Sequence, residues 1–223
     1  MVMTTAWRSL HFPNSANIVW PNYVAYISRL LAHRSTTISR SLLYQEAQHS
    51  GWQRPLSQWH TRHMVARAKE SVLVVQQPRW PLQQILLVVR GEVSDETAVY
   101  WAETLAQASY ATVTIMPIIP AWPGMYQMGN EVQADLDVLL QPNTASGQRL
   151  HAYREKLEQA GVPNYFCQQS GTPDQQIQRE VAETGHDLIV VAAEGDGRLH
   201  RWYLGEIVSP LLRWVDRPLL IAK

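Results

Sequence analysis

The second half of the chain alternates short, nearly continuous apolar runs with longer amphipathic stretches. The apolar runs have the length of strands, and the stretches between them have the length and spacing of helices. A run such as Gln84–Val89, QILLVV, is typical of a parallel strand that is buried on both faces. Strands of this kind that alternate with helices predict an α/β fold made of βαβ units.

Five runs are predicted to form one open parallel sheet. They are residues 84–89, 112–119, 164–169, 188–192 and 219–222. Right-handed crossover connections between such strands place helices on both faces of the sheet. Ligands of open parallel sheets lie at the carboxyl ends of the strands, near the point where the strand order reverses. The glycine-bearing loop after residue 192 is therefore the predicted ligand position.

Capping residues mark the predicted helices. Ser94 is a predicted N-cap, followed by carboxylates at Asp95 and Glu96 in the first turn, where the helix dipole favours negative charge. Thr172 and Pro173 predict a second N-cap, with proline at the first helical position. The predicted helices are residues 95–108, 131–140, 148–160, 173–184 and 205–214, and residues 120–129 are a predicted loop.

Charge and cysteine content narrow the classes of function. Lys plus Arg and Asp plus Glu number 19 each, so the net charge gives no reason to expect a nucleic acid or an anionic membrane as the main partner. The single cysteine, Cys167, cannot form an internal disulfide, as is typical of a reducing compartment. No signal peptide and no membrane helix is predicted. We expect a cytoplasmic protein without membrane insertion.

No pattern in the sequence predicts a catalytic or metal centre. A nucleophile elbow G-x-S-x-G and a Walker loop are both absent. His60 and His63 lie one helical turn apart, but they lack a third ligand nearby and are predicted to be exposed polar residues. Cys167 lies on a predicted apolar strand without a neighbouring base, which indicates a buried structural thiol. We therefore expect no enzyme, with weak ATP hydrolysis as the upper limit.

The region from Gly171 to Lys223 carries a series of motifs. It contains a Gly-x-Pro before a helix, an Asp-Leu-Ile-Val strand, a glycine loop, a Leu-Gly helix start and a closing Pro-Leu-Leu-Ile strand. In these motifs it resembles the universal stress protein family, and residues 84–108 match the family's opening strand and helix more loosely. The resemblance implies an intact domain at residues 82–223 with strand order 3-2-1-4-5, of the adenine-nucleotide alpha-hydrolase type. It also implies a regulatory or stress-response protein that acts by dimerisation and partner binding.

The resemblance also implies where a nucleotide would bind. ATP-binding members of the family carry a loop of form G-x2-G-x9-G-[ST], whose backbone amides approach the phosphates. The four defined positions are Ala192, Gly195, Gly205 and Glu206 in this chain, so that two of them depart from the pattern. The family's aspartate at the end of the first strand is replaced by Arg90. Because a carboxylate repels a phosphate, the resemblance implies a degenerate nucleotide site.

Three interpretations of the chain stay open. In the first, Gly195 and Gly197 form a loop, Gly205 permits close helix packing, and no cofactor is bound. In the second, ATP or another adenine nucleotide is held in an altered mode by Gly195, Gly205 and the nearby arginines, and Arg90 receives an anion instead of pairing with Glu206. In the third, the protein is a structural subunit of a larger complex. The first interpretation predicts a homodimer or another protein partner instead of a small-molecule ligand.

Residues 1–81 are predicted to be a truncated, degenerate copy of the same domain, together with a linker. A shift of 147 residues superposes Leu73 on Leu220. Two strands of the copy, residues 41–44 and 72–75, would remain. We expect these strands to extend the intact sheet, with the last strand of the copy paired to the last strand of the intact domain, because this contact covers an apolar edge.

Overall fold

The computed structural model describes residues 27, 42–45, 54–68, 70–77, 79, 81–118, 136, 140–169, 172–193 and 207–223, and of residues 42–45 and 54–60 only the backbone. The strands are β1 (Leu42–Gln45), β2 (Val72–Val75), β3 (Gln84–Val89), β4 (Thr112–Pro117), β5 (Asn164–Phe166), β6 (Leu188–Ala192) and β7 (Leu219–Ala222). The α-helices are α1 (Arg54–Arg67), α2 (Glu96–Ser109), α3 (Ala145–Gln159), α4 (Pro173–Glu183) and α5 (Val208–Trp214). A 3-10 turn at Val93–Asp95 precedes α2.

All of these strands belong to one sheet, in the order β1-β2-β7-β6-β3-β4-β5. The five strands from β3 onwards run parallel to one another. Numbered within their own unit, they have the order 3-2-1-4-5, which confirms the predicted α/β fold. The strand order reverses between β3 and β6, because β3 continues to β4 on one side and β6 continues to β7 on the other.

Two apolar layers cover the two faces of the sheet. Leu87 belongs to the layer that α2 and α3 cover, whereas its neighbour Val88 belongs to the layer under α4 and α5. This division follows from strand geometry, since successive side chains point to opposite faces. Both β6 and β7 are buried along their whole length. An apolar residue is therefore needed at every position, which explains the uninterrupted runs in the sequence.

The edge strand β5 is shorter than predicted. It pairs with β4 only from Asn164 to Phe166 and does not continue to residue 169. The backbone N–H of Cys167 still donates to the carbonyl of Ile115 at 2.9 Å. Gln169 instead turns its amide toward the carboxylates of α4. A side-chain interaction with a helix thus ends this strand, and no pattern within the strand itself indicates it.

The helix starts show which capping predictions hold. Thr172 caps α4 with Pro173 at its first position, as predicted. Ser94 is not the N-cap of α2, because it lies within a 3-10 turn at Val93–Asp95 that Glu92 and Asp95 cap, and Asp95 takes the N-cap position of α2. The helix predicted to begin at residue 148 begins at Ala145, since the hydroxyl of Thr144 accepts the N–H of Gly147 at 2.9 Å.

The two N-terminal strands extend the sheet beyond β7. β2 runs antiparallel to β7, and β1 runs parallel to β2. Leu73 lies opposite Leu220, the pair that the predicted repeat superposes. The strand pairing expected from the sequence is therefore present, and β7 has a neighbour on each side.

Some predicted elements lie outside the described residues. These are the loop at 120–129, most of the helix at 131–140 and the first part of the helix at 205–214. Within the part of the chain that the structure describes, no helix combines the length and the apolar character that a bilayer crossing requires.

Candidate functional site

The carboxyl ends of β3 and β6 meet near the centre of the sheet. Val88 lies opposite Val191, so the two strands end side by side. Arg90 directly follows β3, and Ala192 is the last residue of β6. The strand order reverses between these two strands, which is the position where ligands of open parallel sheets bind. The structure thus places two of the predicted site residues, Arg90 and Ala192, at the same end of neighbouring strands.

Ala192 is a core residue and does not begin a loop. It pairs with Ala222 of β7, is 1% exposed, and adds its methyl group to the apolar layer under α2. The next three predicted site residues, Gly195, Gly205 and Glu206, lie outside the described residues. The phosphate-binding loop therefore stays a prediction.

Arg90 is held by its own turn. Its side chain is 11% exposed, and its Nε lies 3.5 Å from the Oε2 of Glu92. Its Nη2 lies 3.4 Å from the hydroxyl of Ser94, which in turn donates to Glu92. A ligand anion at this position would compete with a carboxylate that already balances the guanidinium.

Asp95 organises this turn, and the sequence analysis did not identify it as a site residue. The side chain is 1% exposed, and its Oδ2 accepts the backbone N–H groups of Arg90 at 2.8 Å and Glu92 at 3.0 Å. Burial raises the pKa of Asp95, although these hydrogen bonds and the Arg90 charge act in the opposite direction. The sequence signal is that Asp95 lies four residues after Gly91, because a glycine turn exposes N–H groups from which a carboxylate can accept hydrogen bonds.

The turn is also fixed from α3. Gly91 has φ of +71°, and a Cβ there would lie 2.9 Å from the Cβ of Ser146, so that a larger residue is excluded twice. Its carbonyl accepts from Arg149 at 3.2 Å. The hydroxyl of Tyr153 donates to the carbonyl of Glu92, and burial raises the pKa of this tyrosine. The turn that presents Arg90 is therefore pre-organised.

Two further predictions concern chemistry at single residues. Cys167 is partly buried, and the structure places the Glu180 carboxylate against its thiol, a neighbour that the sequence did not reveal. Burial and this negative charge raise the pKa of Cys167, so the thiol is not activated as a nucleophile.

His63 is half-buried and not exposed, and the side chain of His60 lies outside the described residues. The described residues hold no group of three His, Cys, Asp or Glu side chains suited to a metal.

Comparison with known proteins agrees with this architecture. A sequence profile described as the universal stress protein family matches residues 81–223. The chain belongs to the universal stress protein family. A search of curated proteins found no match.

Solved structures of the family share the fold of this universal stress protein. One from Archaeoglobus fulgidus DSM 4304 has a TM-score of 0.56 at 14% identity, over 89% of this chain and 64% of its own. A putative universal stress protein from Pseudomonas aeruginosa UCBPP-PA14 has a TM-score of 0.53 at 13% identity, over 88% of this chain and 66% of its own. The present chain therefore spans less than two thirds of the length of either.

A third solved structure is a universal stress protein in complex with cAMP. It matches with a TM-score of 0.46 at 21% identity, over 63% of this chain and 97% of its own. That TM-score is too low to support an argument about ligands of the present chain. At these identities the likenesses show the fold alone.

Proposed function

We propose that this universal stress protein is a cytoplasmic regulatory protein of the stress response that acts by dimerisation and partner binding, with a degenerate nucleotide site. The observation that supports the proposal most directly is the turn at the end of β3. Arg90 stands where ATP-binding relatives have an aspartate, and its guanidinium is engaged by Glu92 and Ser94. A nucleoside that needs a carboxylate acceptor at this point meets a cation instead.

The predicted loop adds a second obstacle. Glu206 takes the place of the hydroxyl that would donate to a phosphate, and a carboxylate there repels a phosphate oxygen. Ala192, the first loop position, is committed to strand pairing and to the core. We therefore propose that the protein holds no cofactor, catalyses no reaction and acts on other proteins, not on nucleic acids.

A second candidate function is binding of ATP or another adenine nucleotide in an altered mode. It is favoured by the position of Arg90 where the strand order reverses, beside the turn that Asp95 organises. In this mode a phosphate would replace Glu92 as the partner of the guanidinium, since arginine pairs well with phosphate oxygens.

Calorimetric titration of the full chain with ATP, AMP and cAMP separates the two functions. A degenerate site predicts no saturable heat below about 1 mM nucleotide, and no adenine absorbance in the supernatant after the purified protein is denatured. Glu206→Ser combined with Arg90→Asp should restore binding if these two charges are the obstacle. The same arginine-to-aspartate change at Arg154, an exposed residue of α3, is the matched control. Micromolar ATP binding by the unmodified protein would establish the altered mode instead.

We also propose that residues 1–81 are a truncated, degenerate copy of the domain at residues 82–223. Two contacts support it. Leu73 lies opposite Leu220, and Nη2 of Arg62 in α1 contacts the hydroxyl of Ser209 in α5 at 2.5 Å. Both pairs are separated by 147 residues, the shift that aligns the two units, as expected for equivalent positions that face each other across a local twofold axis. The fold likeness over 89% of this chain, which extends beyond residues 81–223, agrees with this reading.

The copy has a consequence for assembly. Because β2 occupies the free side of β7, a second molecule cannot pair with β7 unless β2 is released. The proposed dimer must therefore use another surface. Light scattering after size-exclusion chromatography gives the mass of the full chain in solution. A dimer that dissociates when Leu220 is replaced by lysine, while the fold survives by circular dichroism, would contradict the internal pairing.

A further inference from the structure

A buried polar cluster lies at the amino end of β6, at the opposite end of the sheet from Arg90. Its centre is formed by Glu180 of α4, which is 4% exposed, and by His186, which is 0% exposed. Oε1 of Glu180 lies 2.9 Å from Nε2 of His186. Oε2 of Glu180 accepts from the amide of Gln169 at 3.0 Å. A single carboxylate thus joins α4 to the segment that follows β5 and to the segment that precedes β6.

Arg217 joins the same corner to β7. Its side chain is largely buried, and Nη1 donates to the carbonyl of Thr184 at 3.2 Å and to the carbonyl of His186 at 3.0 Å. The carboxylate of Asp187 accepts two backbone N–H groups at the start of β3. The connection between α4 and β6 is therefore tied by polar contacts to three other segments of the chain.

The contact with Glu180 determines the protonation state of His186. Because a carboxylate only accepts hydrogen bonds, Nε2 carries the proton and Nδ1 of the neutral ring does not. Nδ1 is buried and has no hydrogen-bond partner among the described residues. A proton added to Nδ1 would therefore find no described acceptor, and the new charge would lie near the Arg217 guanidinium.

We propose that this cluster is an acid-sensitive lock that holds the C-terminal end of α4 on the sheet and opens when His186 is protonated. In the open form the imidazolium reaches solvent, and the contacts of Glu180 with His186 and Gln169 are lost. The charged and titratable groups around His186 are Glu180 and Glu183 of α4, Cys167 after β5, Asp187 before β6, and Asp216 and Arg217 before β7, with Arg79 acting on Arg217.

The direction of the response follows from these surroundings. Burial lowers the pKa of His186 below the ordinary value of 6.5, and Arg217 adds to the effect, although Glu180 opposes it. The closed form therefore binds the proton less readily than an open form does. The lock is fully held above the ordinary pKa and weakens as the pH falls from 6.5 toward the lower value of the closed form. If opening is linked to the uptake of one proton, the equilibrium constant for opening increases by up to about tenfold for each pH unit that the pH falls in this interval.

Cys167 reports the opening, because it is the single cysteine of the chain and lies against Glu180. The experiment measures its reaction with dithiodipyridine in the full chain between about pH 8 and about pH 5. Each rate is divided by the rate of the denatured chain at the same pH, which cancels the ionisation of the exposed thiol. We expect the protection of Cys167 to decrease from pH 6.5 to pH 5.5, by up to about fivefold.

Two variants assign the effect. His186→Gln keeps a donor toward Glu180 but does not titrate, so its protection should be independent of pH over this interval. His151→Gln is the matched control, because His151 is a part-buried histidine of α3 that contacts the carbonyl of Leu140 at 2.8 Å. This variant should keep the pH profile of the unmodified protein. A flat profile in the unmodified protein, or the same decrease in His186→Gln, overturns the proposal.

A measurement on the unmodified protein covers the case in which His186→Gln does not fold. Native hydrogen exchange, corrected for the intrinsic pH dependence, compares the amides of α4 with those of α3. Protection in α4 should decrease below pH 6.5 while protection in α3 stays constant. Equal behaviour of the two helices overturns the lock and leaves only a global loss of stability.

Discussion

The two ends of the sheet each bury a carboxylate, but they hold it in different ways. Asp95, at the carboxyl end, accepts only backbone N–H groups from within five residues of itself. Glu180, at the amino end, accepts from Gln169 and His186, which belong to the segments before and after its own helix. The first arrangement is a local turn, whereas the second joins parts of the chain that only the complete fold brings together.

This difference appears in the response to acid. Burial raises the pKa of Asp95, so protonation there favours the folded chain, and the gain is complete below the ordinary value of 3.8. The pKa of Glu180 is lowered, because hydrogen bonds from Gln169 and His186 outweigh the effect of burial. Its contribution to stability is present above the ordinary value of 4.5 and is lost as the pH falls. Acid thus stabilises one end of the sheet and loosens the other.

The largest effect is expected at Glu180. Glu180→Ala leaves the ring N–H of His186 without its acceptor in a buried site, and it removes one of the two carboxylates that accept from the amide of Gln169. We expect the free energy of unfolding, measured in urea at neutral pH, to decrease by about 3 kcal/mol. Glu158→Ala removes a carboxylate that is half exposed and pairs with Arg154, and it should change stability by less than about 0.5 kcal/mol. Equal effects of the two variants would mean that the buried cluster at Glu180 stabilises the fold no more than an exposed ion pair does.

A smaller effect is expected at Asp95. Asp95→Ala removes the acceptor of two backbone N–H groups, and we expect a loss of about 2 kcal/mol in the same assay. Asp95→Asn keeps one acceptor oxygen and removes the buried charge, so it should cost less than the alanine variant.

The pH dependence of Asp95→Asn provides its control. Because the unmodified protein gains stability when Asp95 is protonated, it should gain relative to Asp95→Asn as the pH falls toward 3.8. Urea unfolding of both proteins at several pH values measures the difference. A difference that changes in the other direction would mean that the buried carboxylate prefers to be ionised in the fold.

The smallest effect is expected at the exposed partner of Arg90. Glu92→Gln removes the charge that faces the guanidinium, but the glutamate side chain is 56% exposed and solvent screens the pair. We expect a change within about 0.5 kcal/mol. Thermal unfolding detects it, and a loss above about 2 kcal/mol would show that this turn depends on the ion pair instead of on Asp95.

The strands were well predicted, and the polar contacts were not. β3, β6 and β7 occupy the predicted residues, because burial on both faces leaves an uninterrupted apolar run in the sequence. Thr172 and Pro173 were also recognised, since a cap satisfies backbone groups within its own turn. The sequence predicts Ser94 as the N-cap of α2, but Asp95 takes that position, because its carboxylate accepts the N–H groups of the glycine turn before the helix.

The amino acid sequence by itself determined the alternation of strands and helices, because hydrophobic periodicity and local capping are carried within each segment. The strand order followed from the resemblance to the universal stress protein family, and the pairing of β2 with β7 followed from the predicted repeat. The tertiary structure alone decided which polar groups meet. Glu180 contacts Cys167, Gln169 and His186 because helix packing carries the end of α4 onto the start of β6, and no pattern within any one segment encodes that meeting.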